Sequence, residues 1–129
     1  MASGTRETVV RWLETRASRD LDRLAELTAS DAVWESPVTG LVRGRAAVGR
    51  QVEEAFTDTD EFASEVLSLD CRGDRAVAVL HNTGRRGGDE LDSLQTLFLR
   101  VVDGLMAEVK IAVDDEEAVE AFWEATRDA

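Results

Sequence analysis

LDRLAELTASDAVWESPVTGLVRGRAAVGRQVEEAF, residues Leu21 to Phe56, places a short helix, one strand and another helix in a row, and the order is an unusual one. The strand ends at Trp34, Glu35, Ser36 and Pro37. In an alternating strand Trp34 and Ser36 share one face and Glu35 takes the other, so an inward indole brings a small hydroxyl in with it. Pro37 keeps Ser36 extended and removes a ladder donor, which suits a strand end at the rim of a cavity. The plainer alternative is a strand end packed on helices.

Working outward, Val9, Trp12, Leu13 and Ala17 recur at helical spacing and predict an amphipathic helix from Thr5 to Ala17. Asp20 is placed to cap a second helix, Leu21 to Thr28, that buries Leu24 and Leu27. After a strand over Ala32 to Ser36, the segment Val38 to Gly44 reads as a loop into a third helix with the stripe Val48, Val52, Ala55 and Phe56. From Phe62 the period changes, and turn residues divide four strands: Phe62 to Asp70, Arg75 to Thr83, Leu91 to Val102 and Leu105 to Val113. Arg72-Gly73-Asp74 and Asp103-Gly104 read as tight hairpin turns, and Gly84 to Glu90 as a longer loop. The Arg-Gly-Asp tripeptide is a turn by its chemistry and not an adhesion signal. A last helix, Glu116 to Ala125, capped by Asp114 or Asp115, offers Val119, Phe122 and Trp123 to a neighbour. The expectation is one α+β domain over residues 1–129. It takes the form of a cone-shaped barrel, with a curved antiparallel sheet wrapped around three N-terminal helices and closed by a short C-terminal helix.

Composition narrows the function. A chain of 129 residues buries about two thirds of its extended surface as one domain. Its 27 Asp plus Glu against 15 Lys plus Arg give a net charge of -12, which opposes phosphate backbones and anionic lipid, so neither nucleic acid nor membrane is expected as a partner. Cys71 is the only cysteine and His81 the only histidine, too few for a disulfide or a Cys/His zinc site. No apolar run approaches signal-peptide or membrane-spanning length, so a cytoplasmic location is expected. Lys110 is the single lysine, an Arg-for-Lys skew that points to a GC-rich bacterial genome.

The segments SDAVWESPVTG (30–40), RGRAAV (43–48) and VVDGLMAEV (101–109), with the Asp-rich start of the last helix, resemble the nuclear transport factor 2-like superfamily. Its bacterial branches include SnoaL-like polyketide cyclases, ketosteroid isomerases and limonene epoxide hydrolases. The resemblance spans Thr5 to Trp123 and implies a cone-shaped pocket for a hydrophobic ligand, in a homodimer paired through the sheet. It also implies three departures from the isomerase pattern. Ser36 stands where that branch has its aspartate base, Trp12 where it has a tyrosine donor, and Leu97 near its buried acid, so steroid isomerisation by that mechanism is not expected. The epoxide hydrolase Asp-Arg-Asp set has no convincing inward match.

A different polar set remains. If Val77 and Val79 point into the cone, so do His81 and Thr83. On the next strand Gln95 and Ser93 share the face of Leu97 and Leu99, while Asp92 falls on the opposite one. His81 (proton transfer), Gln95 and Ser36 (polarising a ligand oxygen) form the candidate catalytic set, and Trp12, Trp34, Thr83, Leu97, Phe98 and Val109 the candidate ligand contacts. Each has a structural alternative: a hydrogen-bonded histidine, a backbone-satisfied amide or hydroxyl, tryptophans as core. Glu108 and Lys110 read as a cross-strand or intersubunit charge pair, and Arg85 and Arg86 as solvated or as holders of an anionic ligand. Two functions follow. One is cyclisation or isomerisation of a polyketide-like or polycyclic intermediate without metal or cofactor; the other is non-catalytic binding of such a ligand in the same cone.

Overall fold

A computed structural model describes residues 2–57 and 59–128, with side chains described for residues 4–57 and 59–123. The elements run α1 Ala2–Ser18, α2 Leu21–Glu26, β1 Thr28–Ser36, β2 Gly40–Arg43, α3 Arg45–Thr57, β3 Glu61–Arg72, β4 Arg75–Arg86, β5 Asp89–Val102, β6 Leu105–Val113 and α4 Glu116–Asp128. All six strands form one curved, unclosed sheet in the order β2-β1-β6-β5-β4-β3. Neighbours are antiparallel except β1 and β6, which run parallel. The α+β cone expected from the sequence is the fold found, with that one parallel pair added.

The helix α1 crosses the concave face because its stripe Val9, Trp12 and Leu13 is apolar at i, i+3 and i+4. Trp12 is wholly buried, and its Nε1 donates to Thr28 Oγ1 at 3.0 Å. Thr28 in turn donates to the Leu24 carbonyl at 2.7 Å, so α1, α2 and the start of β1 are locked around one indole. Arg45 Nε donates to the Thr28 carbonyl at 2.8 Å and ties α3 to the same point. At the other end of α1, Thr5 Oγ1 donates to the Gly73 carbonyl at 2.7 Å in the β3-β4 turn. The capping residues act as the sequence suggests: Asp20 accepts from Arg23 N, and of the two candidates it is Asp115 that accepts from Ala118 N.

The main core joins α1, α2 and α3 to the inward residues of β1, β4, β5 and β6. A smaller cluster of Phe62, Leu91, Val119 and Phe122 docks α4 over the open end of the sheet. There the Phe56 and Phe62 rings meet edge to face at 5.4 Å, and Phe62 lies 5.9 Å from Trp123.

Several expectations are corrected. β1 begins at Thr28 rather than Ala32, and α2 ends at Glu26; Thr28 to Asp31 shows no alternation, with Thr28 and Ala29 both buried and Ser30 and Asp31 both exposed, and its pairing with β6 is interrupted between Thr28 and Val33. The Val38 to Gly44 loop contains β2, a four-residue edge strand too short and exposed to show alternation. Between β4 and β5 the ladder continues to Arg86 opposite Asp89, leaving a turn at Gly87-Gly88 with Gly87 at φ 59°. Gly84 is thus a strand residue: a Cβ there would stand 3.2 Å from the Glu61 carbonyl oxygen on β3. Asp103 and Gly104 both take positive φ, as a primed hairpin turn requires.

The face of β4 is also reversed. Ala76, Ala78, Leu80 and Asn82 point inward and are buried, while Val77 and His81 point outward. Both phases of this strand are apolar, so size decides: the alanines let α1 lie close to the sheet, and the bulkier valines take the convex side. Among the described residues, no helix is long and apolar enough to cross a membrane.

Candidate functional site

Past Trp12 the cone is hollow. A cavity of about 100 Å³ opens between the sheet, the end of α1, α3 and α4. A single water needs only about 10–15 Å³ on this measure, so the space suits an organic molecule. Its apolar wall comes from Val52 and Ala55 of α3, Phe62, Leu91, Ile111 and Val113 of the sheet, and Val119 and Trp123 of α4. Its polar groups come from the sheet, from α3, from the turn after β1 and from α1.

On the sheet, Asn82 and Ser93 face each other in register and are both buried. Asn82 Oδ1 accepts from Ser64 Oγ, which continues the polar row onto β3. One rung along, Leu80 stands opposite Gln95, and Gln95 opposite Val113. The Gln95 side-chain oxygen is fully buried without a hydrogen-bond partner, and so is the Trp34 indole nitrogen. Both residues line the cavity. A buried amide or indole without a partner costs about 1–3 kcal/mol, and native folds keep few of them.

Ser36 also lines the cavity, but its hydroxyl serves the turn. It accepts from Val38 N at 3.2 Å and Thr39 N at 3.0 Å, and lies 2.9 Å from Thr39 Oγ1. Such a hydroxyl shapes the rim and carries little freedom for chemistry.

The remaining candidates are placed elsewhere. His81 stands on the convex face with its Nε2 2.7 Å from Asp92 Oδ1, and lines no part of the cavity. The expectation that it converges with Gln95 and Ser36 is therefore corrected, for the reason of strand parity given above. Thr83 faces away with it, into an open depression beside Arg19, Arg85 and Asp92. Phe98, next to the inward Leu97, is exposed on the convex face. Trp12, Leu97 and Val109 point inward but are core residues below the cavity and not part of its wall. Glu108 and Lys110 pair across strands, with Arg100 at 3.8 Å and Glu35 at 3.9 Å, and Arg85 pairs with Glu61 at 3.2 Å.

Several wall residues, Asn82 and Gln51 among them, were not anticipated, and the most consequential is a charged one. Arg16 is 7% exposed, the only charged side chain buried among the described residues, and it borders the cavity. It falls four residues after Trp12, on the inward stripe of α1, where Ala17 had been expected and is instead exposed. A charged residue in an apolar stripe was the available signal. Desolvation lowers its pKa from the usual guanidinium range to about 10, which still leaves it cationic near neutrality.

Comparisons with known proteins bear on this architecture. The family described as SnoaL-like domain matches residues 9–109. The structure of Bal32a, from a soil-derived mobile gene cassette, is 27% identical with a TM-score of 0.89, over 95% of this chain and 98% of that one. A candidate ketosteroid isomerase from Kribbella flavida is 26% identical with a TM-score of 0.74, over 88% and 80% of the two chains. A candidate polyketide cyclase from Sinorhizobium meliloti is 25% identical with a TM-score of 0.71, over 82% and 94%. No curated protein matches the chain.

The burial of Arg16 has a consequence for stability. Its folded pKa lies below the unfolded one, so the fold disfavours the charged form, and this cost is full below about pH 10 and fades as pH rises from there toward the usual guanidinium range. Arg16→Met is expected to raise the stability of the ligand-free protein near neutral pH by about 1–3 kcal/mol in urea titrations, since it removes a buried unpaired charge while keeping the stem. A loss of stability would show that the guanidinium has a stabilising partner within the fold.

Proposed function

The chain belongs to the SnoaL-like domain family of the nuclear transport factor 2-like superfamily, and from that premise we propose that it binds a small hydrophobic, oxygen-bearing molecule of polyketide-like or polycyclic type in the cavity above Trp12. The observation that carries this reading is the pair of orphaned polar atoms, Trp34 Nε1 and Gln95 Oε1, both buried on residues of the cavity wall. One is a donor and the other an acceptor, which suits a ligand presenting a carbonyl to the indole and a hydroxyl to the amide. The indole would also offer its face to a ring.

A cyclase or isomerase remains the second reading, favoured by the same atoms. Preformed donors in a dry pocket stabilise charge that develops on a ligand oxygen, and shape alone can hold a flexible intermediate near its closing geometry. Proton transfer by His81 has no place in either reading. Glu54, on the exposed side of α3, is the carboxylate at the rim.

The homodimer expected from the resemblance is also proposed. On the convex face Val77 opposes Phe98 and His81 opposes Leu94 in register, and Val77, Leu94 and Phe98 are all exposed. These exposed apolar residues on one face support pairing of two sheets face to face.

Titration with 2-acetylnaphthalene, a neutral fused-ring ketone, tests the pocket reading. Trp34→Phe and Gln95→Leu should change its affinity by about three- to thirtyfold, Trp34→Phe weakening it, while His81→Ala stays within about twofold. An effect of His81→Ala with none from Trp34→Phe would move the site to the convex face. Sedimentation velocity tests the second proposal: the native chain should run as a dimer at micromolar concentration and Phe98→Asp as a folded monomer, whereas a monomeric native chain would remove the sheet interface.

A further inference from the structure

Among the described residues, the cavity wall carries one buried cation, and no carboxylate pairs with it. Arg16 forms no ion pair and no side-chain hydrogen bond with any described residue, although its side chain is buried and borders the cavity. We infer that Arg16 is the anion-recognition residue of this site and that the ligand is an apolar, ring-bearing molecule with a single carboxylate, seated with its acid group on the guanidinium and its rings toward Trp34. This rests on the reading of the cavity as a ligand site and names the charge class of what fills it.

A guanidinium in water-poor surroundings binds a carboxylate through two parallel N–H···O bonds, and neither partner then remains a bare buried charge. The sequence had a cheap apolar solution at this position, since any aliphatic residue would complete the stripe begun by Val9, Trp12 and Leu13. The position in the last turn of α1 adds a modest reason for a cation, because the helix C-terminus is partially negative. That term favours an exposed Arg as well, and does not account for burial against a cavity.

The cation available argues for a monoanion. Among the described residues Arg16 is the one cation of the cavity wall, and Glu54 of the same lining is exposed at its rim. The nearby Arg19 guanidinium lies over the Phe56 ring at 4.5 Å. A phosphate ester would bring close to two negative charges to one guanidinium, inside a chain of net charge -12. A carboxylate is matched by Arg16 alone. Asn82 and Gln95, on the facing strands, leave amide groups at the same wall for a neighbouring oxygen.

The test compares 2-naphthoate with 2-naphthamide, which differ in charge and little in shape, by calorimetric titration of the full chain near neutral pH. The native protein should bind the acid at least about tenfold more tightly than the amide. Arg16→Met should abolish that preference while amide affinity changes by less than about threefold. The Arg16 Nε–H resonance should move on addition of the acid and stay in place with the amide. Equal affinity of the native chain for acid and amide, or an unchanged acid preference in Arg16→Met, would overturn the inference and leave the cavity reading standing. Binding of neither probe would overturn both. Should Arg16→Met fail to fold, the two titrations of the native chain and the Nε–H resonance decide the matter alone.

Discussion

The constraint on which this structure depends is the close approach of α1 to the concave face of the sheet. Ala76 and Ala78 permit it, and Trp12, held by Thr28, fixes its depth. With the indole packed in the main core beside Val48 and Val52, the far end of α3 and α4 are left to cover the open end of the sheet. They cover it with short side chains and aromatic edges rather than with a second plug, and a cavity remains. The last inward residue of α1 then borders that cavity, and this residue is Arg16. Fold and site are consequences of one helix position.

Polar groups in the cavity run against the rule that governs the rest of the interior. Elsewhere the inward positions are aliphatic or aromatic, or polar with a partner, as Thr5 and Thr28 are. Around the cavity an indole nitrogen, an amide oxygen and a guanidinium are left without one. Local departures from otherwise consistent packing mark functional positions more often than faults, because a fold keeps only those costs that binding repays. The family supplies the scaffold, and a scaffold that hosts many chemistries does not by itself specify one. In this chain Ser36 serves a turn, Trp12 plugs the core and Leu97 is part of the sheet's packing.

Much of the fold was legible from the sequence because its period was clear. β6 was read to the residue, and the hairpin at Asp103-Gly104 was set by turn chemistry. What was not legible had physical causes. The polar start of β1 and the four-residue β2 show no alternation, and parallel pairing of β1 with β6 depends on partners far apart in the chain. On β4 two apolar phases compete, and the choice falls to the helix that packs on it, which the strand alone does not reveal. That one choice carried His81 and Thr83 to the wrong side. On β5 only one phase carries the larger run of aliphatics, and the inward placement of Ser93, Gln95 and Leu97 followed directly. Trp34 and Ser36 were placed at the rim by the Pro37 strand end, while Arg16 was passed over because an alanine one residue later satisfied the helical stripe.

The central claim is that the unpaired groups of the cavity are aimed at a ligand. A crystal structure of the chain grown with 2-naphthoate tests it most directly. The account predicts the carboxylate within hydrogen-bond reach of the Arg16 guanidinium, about 2.7–2.9 Å, and the ring system against Trp34 above the buried Trp12. A cavity closed on itself, with Arg16 turned to a carboxylate of its own chain and Trp34 bonded to Gln95, would contradict it.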